Sequence, residues 1–494
     1  MVWLFVMALA APHSIAATQI AWGCGMLLWI VRFALAPRPR LYRTPVDYAL
    51  LGFFILTGVS SFFSYEPFVS IGKLRAASLF TIVYLVAQNV RSLRVARALA
   101  VALVASCMVN VVYTVGQRIL GRGIRVENLS AESPLHKAGV LEGNTVLEAD
   151  GRAVSSPEEL VQALEANGAS GASNTSSSGE GPVHLKVYSR EMYWDLKAPR
   201  GQLLAGETAL ERLGIGGWSR GRDWRAAGFY GHYVTYAESL QLIASLAFGL
   251  FIALKRKRSR SGLLLALVFA GLCVALTLTV TRASWAALLV SACVIVVAGA
   301  RPRLLLVILA GILLLAPVGL YVLQQKRNVN FLDQKDESVR WRETVWREGL
   351  RLLGNRPRHL AVGVGMDSLK AHWREWGLFD KGRLPVGHLH SNLLQLAVER
   401  GLPTLVVWLI LLGIYAGMLW RLAHHADADG WIERGMALGA LGGLAGFFTS
   451  GLVHYNWGDS EVVMIFYFIL GLSLVVEREW IVHKPSVPSL DQSA

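Results

Sequence analysis

The sequence predicts an all-α polytopic membrane protein of about twelve transmembrane helices, interrupted by one small α+β domain. Three observations carry this prediction. Hydrophobic residues make up 54% of the 494 positions and charged residues only 17%, too apolar for a soluble chain of this size. Apolar runs recur along the chain at the length a bilayer requires, roughly 20 residues. Between residues 118 and 232 the composition shifts abruptly, apolar residues giving way to Gly, Ser, Asn and Glu.

Taken in order, the candidate spans are 2–14, 17–35, 47–63, 77–90, 97–117, 233–254, 262–281, 284–300, 303–323, 403–420, 436–453 and 460–477. The first is short. It lacks the basic start and the cleavage site of a signal peptide, so it reads as a retained span. Arg and Lys collect in short loops, at Arg38, Arg40 and Arg43, at Arg91, Arg94 and Arg97, across Lys255–Arg260, and at Arg301 and Arg303. Twelve spans place all these clusters on one side, which the positive-inside rule makes the cytoplasm, with both termini there. The net charge of +14 is thereby topogenic, and a nucleic-acid partner is not expected. Cys24, Cys107, Cys273 and Cys293 all fall within spans, where they read as small core residues.

This topology divides the chain into N-terminal spans (1–118), an insert (119–200), a return linker (201–232), central spans (233–323), a large outer loop (324–402), and C-terminal spans with a tail (403–494). Within the insert, Val140–Gly151 reads as a turn, a short strand of alternating pattern and an Asp-Gly turn. Ser156 and Pro157, followed by Glu158 and Glu159, spell the start of a helix. A Ser/Gly tract over 167–181 precedes a strand from Val183. The stretch Ser133-Pro-Leu-His-Lys-Ala-Gly-Val-Leu-Glu-Gly-Asn-Thr145 and its following Asp-Gly turn resemble a bacterial PDZ domain. The resemblance implies a peptide or protein partner bound by strand addition. It puts the carboxylate loop at Gly121-Arg-Gly-Ile124, where the fifth span leaves no room for the usual preceding strand.

The chemistry is expected at the outer face of the membrane core. His388 and His390 stand one residue apart at the end of the large loop, and imidazole is the side chain best suited to moving a proton near neutral pH. Arg282 lies in the tight turn Thr281-Arg-Ala-Ser-Trp285, on the side where topogenesis does not account for a cation, so it marks a functional position. Arg225 and Arg340 reach the same face, and a guanidinium fork suits a phosphate diester or pyrophosphate. Lys73 and Arg75 in a short outer turn, Trp285, and Asn392 and Gln395 on a predicted helix 391–400 are candidate substrate contacts. Glu399 reads as a general base or, preferably, a structural acid, and Asp459 is open. Neither outer loop carries an acidic cluster of the DxD kind, and no Walker or GxGxxG segment is visible. No metal and no cofactor are expected.

The set Arg225-Ala-Ala-Gly-Phe229, Thr281–Trp285, Ser338-Val-Arg340 with Trp346, Gly363-Val-Gly365, His388-Leu-His-Ser-Asn-Leu-Leu-Gln395 and Glu399-Arg-Gly401 resembles the O-antigen ligase and polymerase (Wzy/WaaL-like) family of bacterial inner membranes. The resemblance implies an undecaprenyl-pyrophosphate-linked glycan donor at the periplasmic face, with lipid A–core, a second glycan or a protein hydroxyl as acceptor. His390 would be the general base, with Arg282, Arg225 and Arg340 facing the leaving pyrophosphate. A PDZ-containing membrane protease and a transporter are the readings from other classes. The His-Glu-x-x-His and Gly-x-Ser-Gly signatures of such proteases are absent, and the spans look almost free of the ionisable residues a transporter wants.

Overall fold

The computed structural model describes residues 1–165, 181–189, 192–299, 337–425 and 430–482. It forms two compact units. One comprises Met1–Val111, Ala227–Thr277 and Thr281–Ala494, the other Val112–Ala226 with Leu278–Val280.

Among the described residues, eight helices are long and apolar enough to cross a membrane: Ile15–Ala34, Pro67–Asn89, Leu93–Leu120, Tyr233–Ala253, Arg260–Leu278, Arg282–Gly299, Leu402–His424 and Ser460–Ile481. Their outward-facing side chains include Leu27, Leu28, Leu263 and Leu264, all well exposed. Water would not tolerate an apolar exterior of this kind, and a bilayer requires it. The chain is therefore a polytopic membrane protein. The remaining expected spans fall short of these criteria or lie outside the described residues. Run 2–14 forms only the nine-residue helix Val2–Ala10, 47–63 yields the shorter helix Asp47–Phe62, and 303–323 lies outside the described residues. Run 436–453 sits in Trp431–Gly451, a helix of full length whose glycines dilute its hydropathy.

Those glycines set the centre of the helical unit. Tyr233–Ala253 is buried along nearly its whole length, and it packs against Trp431–Gly451 almost backbone to backbone. A Cβ at Gly249 would lie 2.2 Å from the amide nitrogen of Gly439, and one at Gly439 would lie 2.6 Å from Cα of Leu246. Close approach of small residues is what holds helices together where lipid removes the hydrophobic drive.

The second unit is a mixed α/β module. Strands β1 (Ile124–Leu129), β2 (Thr145–Ala149), β3 (Arg152–Ala153), β4 (Val183–Ser189), β5 (Met192–Ala198) and β6 (Ile215–Arg220) form one antiparallel sheet. Its order is β5-β4-β2-β1-β6, with β3 paired to β2. The helix Pro157–Glu165 buries Leu160, Val161 and Leu164 in a core shared with Ile124, Val146, Leu185 and Ile215. The last strand falls in the stretch expected to be a return linker, because Gly216 and Gly217 give it no strand signature. It pairs along the whole of β1, from Ile124↔Arg220 to Leu129↔Ile215. The segment expected to be a carboxylate loop is held instead by its own chain, the Arg122 amide donating to the Gly221 carbonyl at 2.8 Å.

The helix crossing gives a direct test. Gly439→Val is expected to cost on the order of 3 kcal/mol and to remove the monodisperse peak in size-exclusion chromatography. Gly413→Val, exposed with nothing within 4 Å of a new Cβ, should leave that peak unchanged.

Candidate functional site

The site is organised by a nine-residue helix, Asn392–Arg400, seven of whose residues are buried. Ser391 provides an extended N-cap without a side-chain cap bond. Gln395 reaches back instead, its Oε1 accepting the Leu389 amide at 2.6 Å. Asn392 spends both ends of its amide, donating to Asn456 Oδ1 at 2.5 Å and accepting from the Trp457 amide at 3.0 Å. At the other end the last carbonyls would be stranded inside protein. Gly363-Val-Gly365 crosses there, so that the Val364 amide donates to the Val398 carbonyl at 2.9 Å and the Gly365 amide to that of Glu399 at 2.8 Å. The Ser60 hydroxyl also donates to the Glu399 carbonyl, at 2.9 Å. Gly363 has φ +73° and Gly365 φ +98°, and a Cβ on Gly365 would fall 1.8 Å from Ser64 Oγ. Only glycine fits this crossing.

His388 and His390 precede that helix, with ring centroids 4.1 Å apart. The Trp341 ring meets His390 edge-on at 4.4 Å, and Tyr455 lies 5.7 Å from His388. Trp346 ties the strip down, its Nε1 donating to the Leu389 carbonyl at 2.9 Å. His390 has φ +48°, a left-handed backbone that a non-glycine residue holds only when its surroundings impose it. Nδ1 of His388 and Nε1 of Trp341 are buried and have no hydrogen-bond partner among the described residues. Burial lowers the His388 pKa to about 4, with Lys370, His454 and His232 adding to the effect. It lowers that of His390 to about 2, reinforced by His388, His454 and Arg342. Both rings are neutral near pH 7, each with one nitrogen able to accept a proton.

The cations are arranged differently from the sequence expectation. Arg342, not Arg340, lies on the side of the helix Glu337–Gly354 that serves the histidines. Its Nε donates to the Val453 carbonyl at 3.3 Å, and its charge bears on His390. Arg340 is exposed, nearly opposite on the helical wheel. The periodicity marks Arg342, which shares a face with Val345, Trp346, Gly349 and Leu352, the turns that meet Leu389 and Leu394. Arg282 is half-buried at the first position of its helix. Two residues on, the Ser284 hydroxyl donates to Glu238 Oε1 at 3.3 Å. Trp285 is half-buried and donates through Nε1 to the Leu276 carbonyl at 3.0 Å. Arg225 belongs to the other unit, where its guanidinium donates to the Thr279 carbonyl at 3.0 Å and to that of Val280. Val280 itself is left-handed, with φ +53°, so Arg225 braces a strained turn. Lys73 pairs with Asp367 at 2.6 Å, and Lys370 meets the same carboxylate at 3.2 Å. Arg75 is exposed on the short helix Leu74–Ala77.

Glu399 is buried, and its Oε1 accepts the Asp367 amide at 2.9 Å. Desolvation raises its pKa to about 7. Beneath the histidines runs a buried polar network absent from the sequence expectation. Glu238, 1% exposed, accepts from Ser450 Oγ at 2.5 Å, His454 Nδ1 at 2.8 Å and Asn456 Nδ2 at 3.2 Å. Its signal was in the sequence, a single acid six residues into an apolar run. Among the described residues no group of three or more His, Cys, Asp or Glu is placed to hold a metal ion.

Residues 267–409 match the family model for O-antigen ligase. That stretch contains Arg282, Arg340, Arg342, His388, His390 and the Asn392–Arg400 helix, and none of the six β-strands. No curated protein matches the chain. The match supports the ligase and polymerase family and a membrane-bound, glycan-processing enzyme.

The glycine crossing is testable without any substrate. Gly365→Ala is expected to destabilise the protein by about 2 kcal/mol or more, read as a lowered Tm in detergent. Gly387→Ala, where a Cβ meets nothing within 4 Å, should stay within about 0.5 kcal/mol of wild type.

Proposed function

We propose that this protein is a glycosyltransferase of the bacterial inner membrane. It moves a glycan from undecaprenyl pyrophosphate to an acceptor hydroxyl at the periplasmic face, in the manner of an O-antigen ligase. The observation that carries the proposal is the His388–His390 pair, its ring centroids 4.1 Å apart. His388 Nδ1 and the neighbouring Trp341 Nε1 are buried atoms that no described residue engages, the charge of Arg342 bears on His390, and the pair falls within a stretch that matches the O-antigen ligase family.

In this reading the acceptor oxygen attacks the anomeric carbon while its proton passes to a ring nitrogen of His390. The anomeric carbon–oxygen bond breaks, and undecaprenyl pyrophosphate leaves with the electron pair. Direct displacement inverts the anomeric configuration. A base with so low a pKa is weak in the empty site, but a bound pyrophosphate brings negative charge that favours the imidazolium. Arg342 and Arg282 would stabilise the charge developing on the leaving group, so that no metal is required. His388 and the Trp341 indole would contact the sugar. Arg225 would act through the turn it braces. Asn392 and Gln395, whose amides are committed to the backbone and to Asn456, would position rather than touch substrate. Lys73 would meet the lipid phosphate only by leaving Asp367.

The insert is read as PDZ-like on its Ser133–Thr145 stretch and the Asp-Gly turn that follows. Strand β6 pairs with β1. A peptide or protein partner for it is part of the proposal. Polymerisation and transfer to a protein hydroxyl would use the same centre with a different acceptor.

The test is transfer by the purified chain in proteoliposomes, given undecaprenyl-pyrophosphate-linked glycan and acceptor extracted from the native host. His390→Ala should lower kcat by about 10²–10⁴-fold, and activity near wild type would overturn the assignment. Arg342→Ala should lose about 10²–10³-fold and Arg340→Ala less than threefold. The reverse ranking would restore Arg340 to the centre.

A further inference from the structure

Glu238 is an acid buried within a membrane helix, and the transfer chemistry does not use it. Its burial is costly unless its oxygens are engaged. Four donors from three parts of the chain engage them: Ser284 at the start of Arg282–Gly299, Ser450 at the end of Trp431–Gly451, and His454 and Asn456 in the turn that follows. The carboxylate adds direction. It orients Asn456, whose Oδ1 receives the Asn392 amide, while the neighbouring Trp457 amide donates to Asn392 Oδ1. Asn392 is two residues from His390, whose left-handed backbone must be held from outside. The same carboxylate takes a hydrogen bond from Nδ1 of His454 and so fixes that ring's tautomer, as carboxylates do for metal-bound and catalytic imidazoles. Ser284 links it to the turn of helix that begins with Arg282.

We propose that Glu238 is a positioning residue for the transfer centre, fixing His390 through Asn456 and Asn392, and the Arg282 turn through Ser284. The inference rests on the function proposed above, and it adds that the base and one cation share a single buried anchor. The anchor is 152 positions from His390 along the chain and makes no contact with substrate.

The experiment uses the full chain in the same proteoliposomes, with donor kinetics measured at saturating extracted acceptor and Tm recorded for every variant. Glu238→Gln, which keeps one acceptor oxygen, is expected to lower kcat about 10-fold and Glu238→Leu about 100-fold, with donor KM within twofold of wild type. In a His390→Ala background, Glu238→Gln should cost a smaller fraction of the remaining kcat than in wild type, the part left being what passes through Ser284 to the Arg282 turn. Wild-type kcat in Glu238→Gln, or an equal fractional loss with and without His390, would overturn the positioning role. If Glu238→Leu fails to fold, Asn392→Leu reads the same link from its other end, with the same expectation. Absence of transfer by the wild-type chain would instead defeat the functional reading itself.

Discussion

Everything at the candidate centre depends on satisfying the backbone of one short buried helix. Asn392–Arg400 ends inside protein, where its terminal carbonyls have no water to turn to. The Val364 and Gly365 amides and the Ser60 hydroxyl supply the missing donors. This fixes where the Gly363–Gly365 segment must run, and with it the Asp367 turn that carries the Lys73 and Lys370 pairs. The other end is tied as firmly, through Asn392 to the turn at Asn456 and Trp457. A helix of nine residues would be marginal alone. Held at both ends, it can impose an unfavourable φ on His390 and keep two imidazoles in ring contact.

The electrostatics follow from that placement. Two half-buried histidines, within electrostatic reach of Arg342, Lys370, His232 and His454, are surrounded by groups that oppose a proton. Such surroundings favour an anion beside the imidazoles. Glu399 goes the other way, its carboxyl raised toward neutrality by burial. The proposed lipid pyrophosphate would bring the negative charge that this arrangement of groups favours.

Much of this was legible in the sequence because its signals are local. The His-x-His pair at the end of a polar loop, the paired glycines at 363 and 365, and the isolated Arg282 each announce themselves within a few residues. What the sequence concealed depends on partners far along the chain. Nothing near Asn392 and Gln395 in the sequence reveals that they hydrogen-bond Asn456 and the Leu389 amide. Arg340 and Arg342 are equivalent in composition and separate only by helical phase. The strand β6 exists because β1 presents an edge to it, not because Gly216 and Gly217 favour extension. Glu238 shows in the sequence only as one acid within an apolar run, since its four donors lie 46 to 218 positions away.

The central claim is that the chain consumes a lipid-linked glycan, and the glycan profile of a native host lacking the gene tests it most directly. Surface polysaccharide and the undecaprenyl-pyrophosphate-linked pool would be resolved side by side by electrophoresis. The account anticipates loss of long chains from the surface acceptor, with full-length glycan accumulating on undecaprenyl pyrophosphate. Single repeat units in place of long chains would keep the donor and change the reaction to polymerisation. An unchanged lipid-linked pool would contradict the account.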